Sequence, residues 1–363
     1  MSLAPKPGVL DVHPYVPGRS DAAGAGRIFK LSSNESPFGP SPKAVAAYES
    51  AEPALGLYPE GTSRILREAI AKRFGLTAEN IICGNGSDEL LHLIADTYVR
   101  PGDEVIFSTH AFSLYKIATL RNSATPVEVP EPHLKMDIDG VLTRINPRTR
   151  IVFLANPNNP TGTYLSAAEL RRLQAGLPDS ALLVIDAAYA EYVGHDDYGP
   201  GIELVRTCEN VIMTRTFSKA YGLAGIRIGW AYCPPGIASV LNRVRQPFNV
   251  NVAAQRAAAA ALGDQAFVEK VVRHNETWRT WLIDEIRKLS NAGIRVDDSA
   301  GNFILLHFAD ANRASEADRF FMSRGIIMRG CASYALPQCL RLTVGSEEAN
   351  KTALAAIKEY AAA

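Results

Sequence analysis

The sequence predicts an α/β protein: a mostly parallel central sheet with helices on both faces, joined to a smaller α/β domain. Two observations predict this fold. Short runs of apolar residues alternate with segments of helical periodicity, which is typical of parallel strands buried on both faces. Beyond about residue 255 the chain turns to long alanine-rich and amphipathic segments, and 363 residues are enough for a second core.

The elements of the large domain follow in order along the chain. Strands are predicted where apolar and β-branched residues form short runs, at 81–83, 104–107, 150–155, 181–185, 211–214 and 226–230. Helices are predicted from their periodicity at 63–74, 87–98 and 166–174. Ser63 is predicted to cap the first helix, and Ser166 with Glu169 to form a capping box on the third.

The two ends of the chain differ from this middle part. Residues 1–40, rich in proline and glycine, predict an extended arm. After one or two long helices at 252–289, further elements are predicted as strands at 303–308 and 340–344 and helices at 313–324 and 347–360. We therefore divide the chain into an N-terminal arm that is part of the small domain (1–40), a large domain (41–255) and a small C-terminal domain (256–363).

Composition and charge exclude several classes of protein. Lys+Arg and Asp+Glu are both 38, so nothing indicates a nucleic-acid surface or a basic membrane patch. The five cysteines are scattered without a CxxC motif, which favours a reducing compartment over disulfides or a zinc site. No apolar stretch approaches the roughly 20 residues of a spanning helix, and the start lacks the apolar core of a signal peptide. We expect a soluble cytoplasmic protein without a metal.

The most informative segment is the tetrapeptide 216–219, which follows a predicted strand and ends in Lys219. A lysine amine can form a Schiff base with a carbonyl group, as pyridoxal phosphate requires. The hydroxyls of Thr216 and Ser218 precede the lysine, and Arg227 follows a glycine-rich segment. Such hydroxyls and a guanidinium can hold a phosphate. The alternative is a solvated surface lysine.

Two more loops follow predicted strands, where ligands sit in open α/β sheets. The loop 84–89 opens a helix whose free backbone N–H groups suit a single phosphate, although a dinucleotide fingerprint would need glycine at position 89. A turn capped by Ser87 or Asp88 is its local alternative. In the loop 156–162, two prolines restrict the backbone, so that Asn159 can donate to an anionic oxygen. An ordinary Asn/Pro/Gly turn is the alternative there.

Two charged residues end or interrupt apolar strands. Asp186 closes one strand, and a buried carboxylate is costly unless a cation such as a protonated pyridine nitrogen pairs with it. Tyr189 could donate to the ring oxygen of the same ligand. Arg341 lies within another apolar strand and needs a planar anion. A capping Asp with a packed Tyr, and a structural ion pair for Arg341, stay open as alternatives.

These motifs occur together and in this order, and on them the chain resembles the fold-type-I pyridoxal-phosphate aminotransferases nearly end to end. The residues that carry the resemblance are 13–18, 31–40, 58–61, 86–89, 156–162, Asp186, Tyr189, 216–219, Arg227 and Arg341. Within that family the chain looks most like the histidinol-phosphate aminotransferases. This narrower resemblance rests on the aromatic N-terminal arm, Tyr58 and the segment 329–337.

The resemblance implies a pyridoxal 5′-phosphate site in the large domain. Its catalytic residues would be Lys219, which forms the Schiff base and moves the Cα proton, Asp186 at the pyridinium nitrogen and Tyr189 at the ring oxygen. Burial beside cationic groups is expected to lower the pKa of Lys219 from its ordinary value of about 10.4. The other cofactor-binding residues would be Asn159 at the ring oxygen, Phe112 stacked on the ring, and Ser87, Asp88, Thr216, Ser218, Arg227 and the neighbouring subunit's Tyr58 at the phosphate.

The resemblance also implies the substrates. Arg341 would bind an α-carboxylate, and Arg329 would face the distal end and the phosphate of histidinol phosphate. The remaining substrate-binding residues would be Tyr15, Asn34, Tyr58 and Phe248, the last at a position where many relatives carry tyrosine. The implied function is transamination between histidinol phosphate and 2-oxoglutarate in histidine biosynthesis, in a homodimer with shared active sites.

Three other functions stay open on the sequence. An aminotransferase for aromatic amino acids or prephenate would suit the aromatic Tyr15 and Phe248, whereas Arg329 favours a phosphate or acidic end. An amino-acid phosphate decarboxylase of the same fold would share the cofactor residues and Arg341. A non-catalytic regulator that binds the cofactor would need a fused DNA-binding domain, for which neither terminus has room or charge.

Overall fold

The computed structural model describes residues 4–12, 14, 19, 27–54 and 56–362. Its strands, in chain order, are β1 Phe29–Lys30, β2 Ile81–Gly84, β3 Glu104–Ser108, β4 Thr125–Val129, β5 Thr149–Ala155, β6 Leu182–Asp186, β7 Val211–Thr216, β8 Gly229–Tyr232, β9 Arg295–Val296, β10 Phe303–His307, β11 Ile326–Ile327, β12 Arg329–Gly330 and β13 Cys339–Thr343.

The α-helices alternate with these strands through most of the chain. They are α1 Pro42–Glu49, α2 Arg64–Phe74, α3 Ser87–Tyr98, α4 Leu114–Leu120, α5 Ile138–Leu142, α6 Ala167–Ala175, α7 Ile202–Thr207, α8 Pro235–Val244, α9 Val252–Leu262, α10 Gln265–Arg287, α11 Ala311–Ser323 and α12 Glu347–Ala362. Within the described part of the chain, no helix combines the length and the apolar character needed to cross a bilayer.

The central sheet has seven strands in the order β2-β8-β7-β6-β5-β3-β4. The strands from β7 to β4 are parallel to one another, and β8 is antiparallel to both of its neighbours. Along β6, Leu183 and Ile185 pack into one hydrophobic core, and Leu182 and Val184 into the core on the opposite face. This two-sided burial explains why the strand sequences are continuously apolar. The prediction of a mostly parallel sheet covered on both faces is confirmed.

A smaller antiparallel sheet has the order β12-β13-β10-β9 and a hydrophobic core of its own. β1 pairs in parallel with β11, and Leu31 packs into this core, so the end of the N-terminal arm contacts the small sheet. Helix α9 packs into one of the two hydrophobic cores of the central sheet. Helix α10 contributes Val268 and Val271 to that core, and Leu282 and Ile286 to the core of the small sheet. The domain boundaries at 40/41 and 255/256 stay predictions.

The first residues of α2 and α6 show where local sequence patterns predicted the helix cap correctly and where they did not. The capping box of Ser166 and Glu169 is present at α6, as predicted. The predicted Ser63 cap of α2 is wrong, because Ser63 adopts a left-handed conformation (φ 54°) and its side chain makes no capping bond. Glu60 takes this role: its carboxylate accepts from the backbone N–H of Arg64 at 2.8 Å and of Thr62 at 3.0 Å. An ionised acceptor makes the stronger cap.

Candidate active site

A cavity of about 230 Å³ lies beyond the carboxyl ends of the parallel strands, between the two sheets. Most of the residues singled out from the sequence line it. They are Asn34, Ser87, Asp88, Phe112, Asn159, Asp186, Tyr189, Thr216, Ser218, Lys219, Arg227, Arg329 and Arg341. Tyr58 and Phe248 lie outside this lining, and Tyr15 lies outside the residues that the structure describes.

Lys219 extends from the loop after β7 into the cavity. Its Nζ donates to the backbone oxygen of Ser33 at 3.1 Å. Burial, with further contributions from the positive charges of Arg341 and Arg227, lowers the pKa of Lys219 to about 8. The expected direction of this shift is confirmed. The unprotonated amine, which both a nucleophile and a proton acceptor require, is therefore reached at a lower pH than for an ordinary lysine.

Asp186 ends β6 with its carboxylate almost entirely buried. The carboxylate accepts from the hydroxyl of Tyr115 at 3.0 Å and from that of Thr214 at 3.3 Å. Burial raises the pKa of Asp186 to about 6, and the bond from Tyr115 acts in the opposite direction. A carboxylate held by two hydroxyls in a low-dielectric site is well placed to bind a cationic group of a ligand.

Tyr189 and Asn34 meet on the side of the cavity that faces the small sheet. The Tyr189 hydroxyl oxygen accepts from Asn34 Nδ2 at 2.9 Å, which leaves the phenolic proton to be donated to a ligand. Asn34 is itself fixed, because Thr343 donates to its Oδ1 at 3.0 Å. Burial raises the pKa of Tyr189 to about 12, so the hydroxyl stays protonated at neutral pH.

The amino end of α3 and the loop after β7 form a cradle of hydrogen-bond donors. Gly86 precedes α3 at φ 87°, and this helix start has no side-chain cap, contrary to the alternative of a turn capped by Ser87 or Asp88. A Cβ on Gly86 would lie 2.4 Å from Arg227 Nη2 and would displace the guanidinium, and the positive φ also favours glycine. Arg227 Nη1 donates to Ser218 Oγ at 3.3 Å. Helix N–H groups, hydroxyls and a guanidinium together suit a phosphate.

Two buried arginines face each other across the small sheet. Arg329 on β12 and Arg341 on β13 are direct partners in the antiparallel register. Arg341 donates to Asn159 Oδ1 and, at 2.7 Å, to the backbone oxygen of Ser32, while its buried Nε has no hydrogen-bond partner in the described structure. These acceptors are neutral, in contrast to the ion pair considered for Arg341 from the sequence. Like charges on opposite residues are unfavourable unless an anion joins them.

The structure shows a hydrogen-bond partner of the cavity residue Asp186 that the sequence analysis missed. Tyr115 is fully buried, stacked on Phe153 with ring centroids 4.7 Å apart and edge-on to Phe112 at 6.1 Å. Phe112 lies before α4, so helical spacing does not relate it to Tyr115, and the sequence held no local signal for this contact. The Tyr115 hydroxyl bond to Asp186 joins residues 71 apart in the sequence.

Tyr58 and Phe248 form an exposed aromatic pair outside the cavity. Their rings are stacked with centroids 4.8 Å apart, and Tyr58 is 83% exposed. Arg245 binds the segment that carries Tyr58, because its Nη2 donates to the backbone oxygen of Gly61 at 2.6 Å. The structure thus presents this pair to the outside rather than to the cavity of its own chain.

Comparisons with known proteins agree with this geometry. The sequence profile of the family described as aminotransferase class I and II matches residues 27–357. The histidinol-phosphate aminotransferases of Nitrobacter winogradskyi and Rhodopseudomonas palustris are 53% and 52% identical over 361 residues, which is 99% of this chain and 98% of each relative.

Solved structures share the fold. The crystal structure of histidinol-phosphate aminotransferase from Sinorhizobium meliloti in complex with pyridoxal-5′-phosphate has a TM-score of 0.86 and 31% identity, covering 93% of this chain and 92% of that chain. L-threonine-O-3-phosphate decarboxylase from Porphyromonas gingivalis has a TM-score of 0.79 and 22% identity, covering 92% and 99%. The latter similarity is one of fold alone.

Proposed function

This chain belongs to the class I and II aminotransferase family, and from this premise we propose that it transfers the amino group of histidinol phosphate to 2-oxoglutarate with pyridoxal 5′-phosphate as its cofactor. In the direction of histidine biosynthesis, glutamate would donate the amino group to imidazole acetol phosphate. The cavity supports the assignment of this cofactor, because its polar groups are complementary to both ends of pyridoxal phosphate. The donors around the start of α3 suit the phosphate, and the buried carboxylate of Asp186 suits the ring nitrogen.

The chemistry divides between the cofactor and the chain. When bound, pyridoxal phosphate supplies a carbonyl for an amine and a protonated ring that withdraws electrons from the substrate. Lys219 would hold the cofactor through Nζ. Once freed by the substrate amine, it would take the proton from the substrate Cα and deliver it to the cofactor carbon bonded to the transferred nitrogen. Asp186 holds the positive charge of the ring nitrogen, and Tyr189 with Asn159 donates to the ring oxygen.

The buried pair of Arg329 and Arg341 is the observation that carries the choice of substrate. Each substrate carries roughly two negative charges. In 2-oxoglutarate they lie on two carboxylates, and in histidinol phosphate they lie on one phosphate. A phosphate has several acceptor oxygens and can bind two guanidiniums at once. Phenylalanine and tyrosine carry a single carboxylate, so they offer less negative charge to these two arginines than histidinol phosphate or 2-oxoglutarate does.

A comparison of amino donors tests this function. With 2-oxoglutarate as acceptor, we expect kcat/KM for histidinol phosphate to exceed that for phenylalanine and tyrosine by about 100-fold or more. Arg329→Gln should lower kcat/KM for histidinol phosphate by at least about tenfold and change the value for phenylalanine much less. Arg313→Gln, on an exposed helix face, is the matched control. A wild-type preference for phenylalanine, or for glutamate donation to prephenate, would contradict the proposal.

We also propose that the enzyme is a homodimer in which Tyr58 reaches the cofactor phosphate of the neighbouring subunit. Large apolar side chains near this position are exposed, including Leu57 at 74% and Phe248 at 44%. Exposed apolar surface of this kind is typical of interfaces. Tyr58 also carries a hydroxyl, which a packing role alone would not need.

Mixed dimers test this arrangement directly. Tyr58→Ala and Lys219→Ala chains with different tags are co-expressed and purified through both tags. Each heterodimer then has one site with both residues intact, so we expect about half of the wild-type activity per dimer, while both parent homodimers are much less active. Monomers in sedimentation, or a fully active Tyr58→Ala parent, would rule out the shared site.

A further inference from the structure

Glu131 is a buried carboxyl group that the proposed chemistry does not use. It follows the edge strand β4, and only 9% of the residue is exposed. Burial raises the pKa of Glu131 to about 7. A buried carboxyl group is costly unless hydrogen bonds compensate for lost water, so its partners indicate what it stabilises.

Those partners belong to two of the loops that line the cavity. Glu131 Oε2 accepts from the backbone N–H of His110 at 2.7 Å, and Oε1 lies 3.4 Å from Asn158 Nδ2. The same Asn158 Nδ2 lies 3.2 Å from the backbone oxygen of His110. His110 precedes Phe112 by two residues, and Asn158 is the neighbour of Asn159. The Glu131 carboxyl group thus joins the loop that carries Phe112 to the loop that carries Asn159.

His110 extends this network to the small sheet. Its Nδ1 lies 2.8 Å from the backbone oxygen of Tyr334, which can only accept, so Nδ1 carries the proton. Tyr334 lines the cavity and lies in the segment between β12 and β13, the strands that carry Arg329 and Arg341. Asn159, in turn, accepts from Arg341. The network therefore reaches the substrate arginines from two directions.

We propose that Glu131 is a positioning residue for the reaction, which holds the loops of Phe112, Asn159 and Tyr334 in the arrangement that binds cofactor and substrate. The inference rests on the proposed function, since it assigns these loops to that cofactor and that substrate. Glu131 is absent from the lining of the cavity and acts only through its hydrogen-bonded neighbours. Its loss should therefore weaken binding more than it slows the chemical step.

Glu131→Ala and Glu131→Gln test this role. The measurements are the Kd of the cofactor-free protein for pyridoxal phosphate, and KM for 2-oxoglutarate and kcat of the loaded enzyme. For Glu131→Ala we expect Kd and KM to rise about tenfold each, the effect of losing roughly one charge-assisted hydrogen bond, with a smaller change in kcat. Glu131→Gln keeps an oxygen that can accept from His110 N–H and should stay within about threefold of wild type.

Two further variants make the test decisive. Glu128→Ala, on the strand β4 that Glu131 follows and paired with Lys116 at the surface, is the matched control and should leave Kd and KM unchanged. His110→Ala removes the bond to Tyr334 and should raise KM for 2-oxoglutarate several-fold. It leaves the backbone N–H that Glu131 binds in place, so an unchanged KM would contradict the part of the inference that extends the network to Tyr334. If Kd and KM stay at wild-type values, or glutamine is as harmful as alanine, the inference is overturned. If the wild-type protein itself bound no pyridoxal phosphate, the proposed function would fail instead.

Discussion

Lys219→Ala is expected to reduce turnover by at least about 10⁴-fold, because the proposed function assigns both the nucleophile and the base for the Cα proton to this one side chain. The chain should also lose covalent attachment of pyridoxal phosphate, measured as the mass gained after borohydride reduction. Near neutral pH the protein without cofactor should not be destabilised. Burial lowers the pKa of Lys219 to about 8, which means that the buried ammonium group costs stability below that pH.

Controls for this prediction separate chemistry from folding. Lys116→Ala removes a surface lysine that pairs with Glu128 and should leave both turnover and cofactor attachment unchanged. The pH dependence of stability gives a second check. The advantage of Lys219→Ala over the wild-type protein, both without cofactor, should shrink as the pH rises from 8 toward 10.5, where the lysine is neutral in both folded and unfolded chains. Turnover of Lys219→Ala near the wild-type rate would refute the assignment.

Asp186→Asn is expected to lower kcat by about 10³-fold, because a neutral amide could not stabilise the positive charge on the ring nitrogen that the proposed function places beside Asp186. The fold should survive. Tyr115 and Thr214 donate to different oxygens of the carboxylate, so the amide oxygen can still accept from one of these hydroxyls and the amide nitrogen can donate to the other. Asp96→Asn, at an exposed pair with Arg121, is the matched control and should be fully active.

The stability of Asp186→Asn should change with pH in a defined direction. Burial raises the pKa of Asp186 from 3.8 to about 6, so in the protein without cofactor the ionised carboxylate opposes folding above that pH. We therefore expect the cofactor-free variant to melt at a higher temperature than the wild-type protein at pH 8. The difference should disappear as the pH falls through 6 toward 3.8. A wild-type protein that is more stable than the variant at pH 8 would show that the carboxylate is not isolated from compensating charge.

Local sequence patterns alone determined most secondary structure and the chemical character of the site. Continuous apolar runs gave the bounds of β5, β6 and β7 to within one or two residues, because strands buried on both faces are mostly apolar. The last part of β7 is an exception, since it buries Thr214, Arg215 and Thr216. Lys219 and Asp186 stand out for the same reason. A buried charge at or just beyond the end of such a strand is costly unless it is paired, which favours a ligand for Asp186 and Lys219. Arg215, buried within β7, is paired with Glu191 instead.

Only the tertiary structure decided which of these residues meet and what holds them there. The facing of Arg329 and Arg341 depends on strand register, and the bond from Tyr115 to Asp186 depends on how α4 packs. The replacement of the Ser63 cap by Glu60 depends on a left-handed backbone turn. The sequence showed no sign of Glu131. The physical reason is common to all of them: side-chain hydrogen bonds between distant segments leave no local periodicity, and they form only once the apolar faces have fixed the packing.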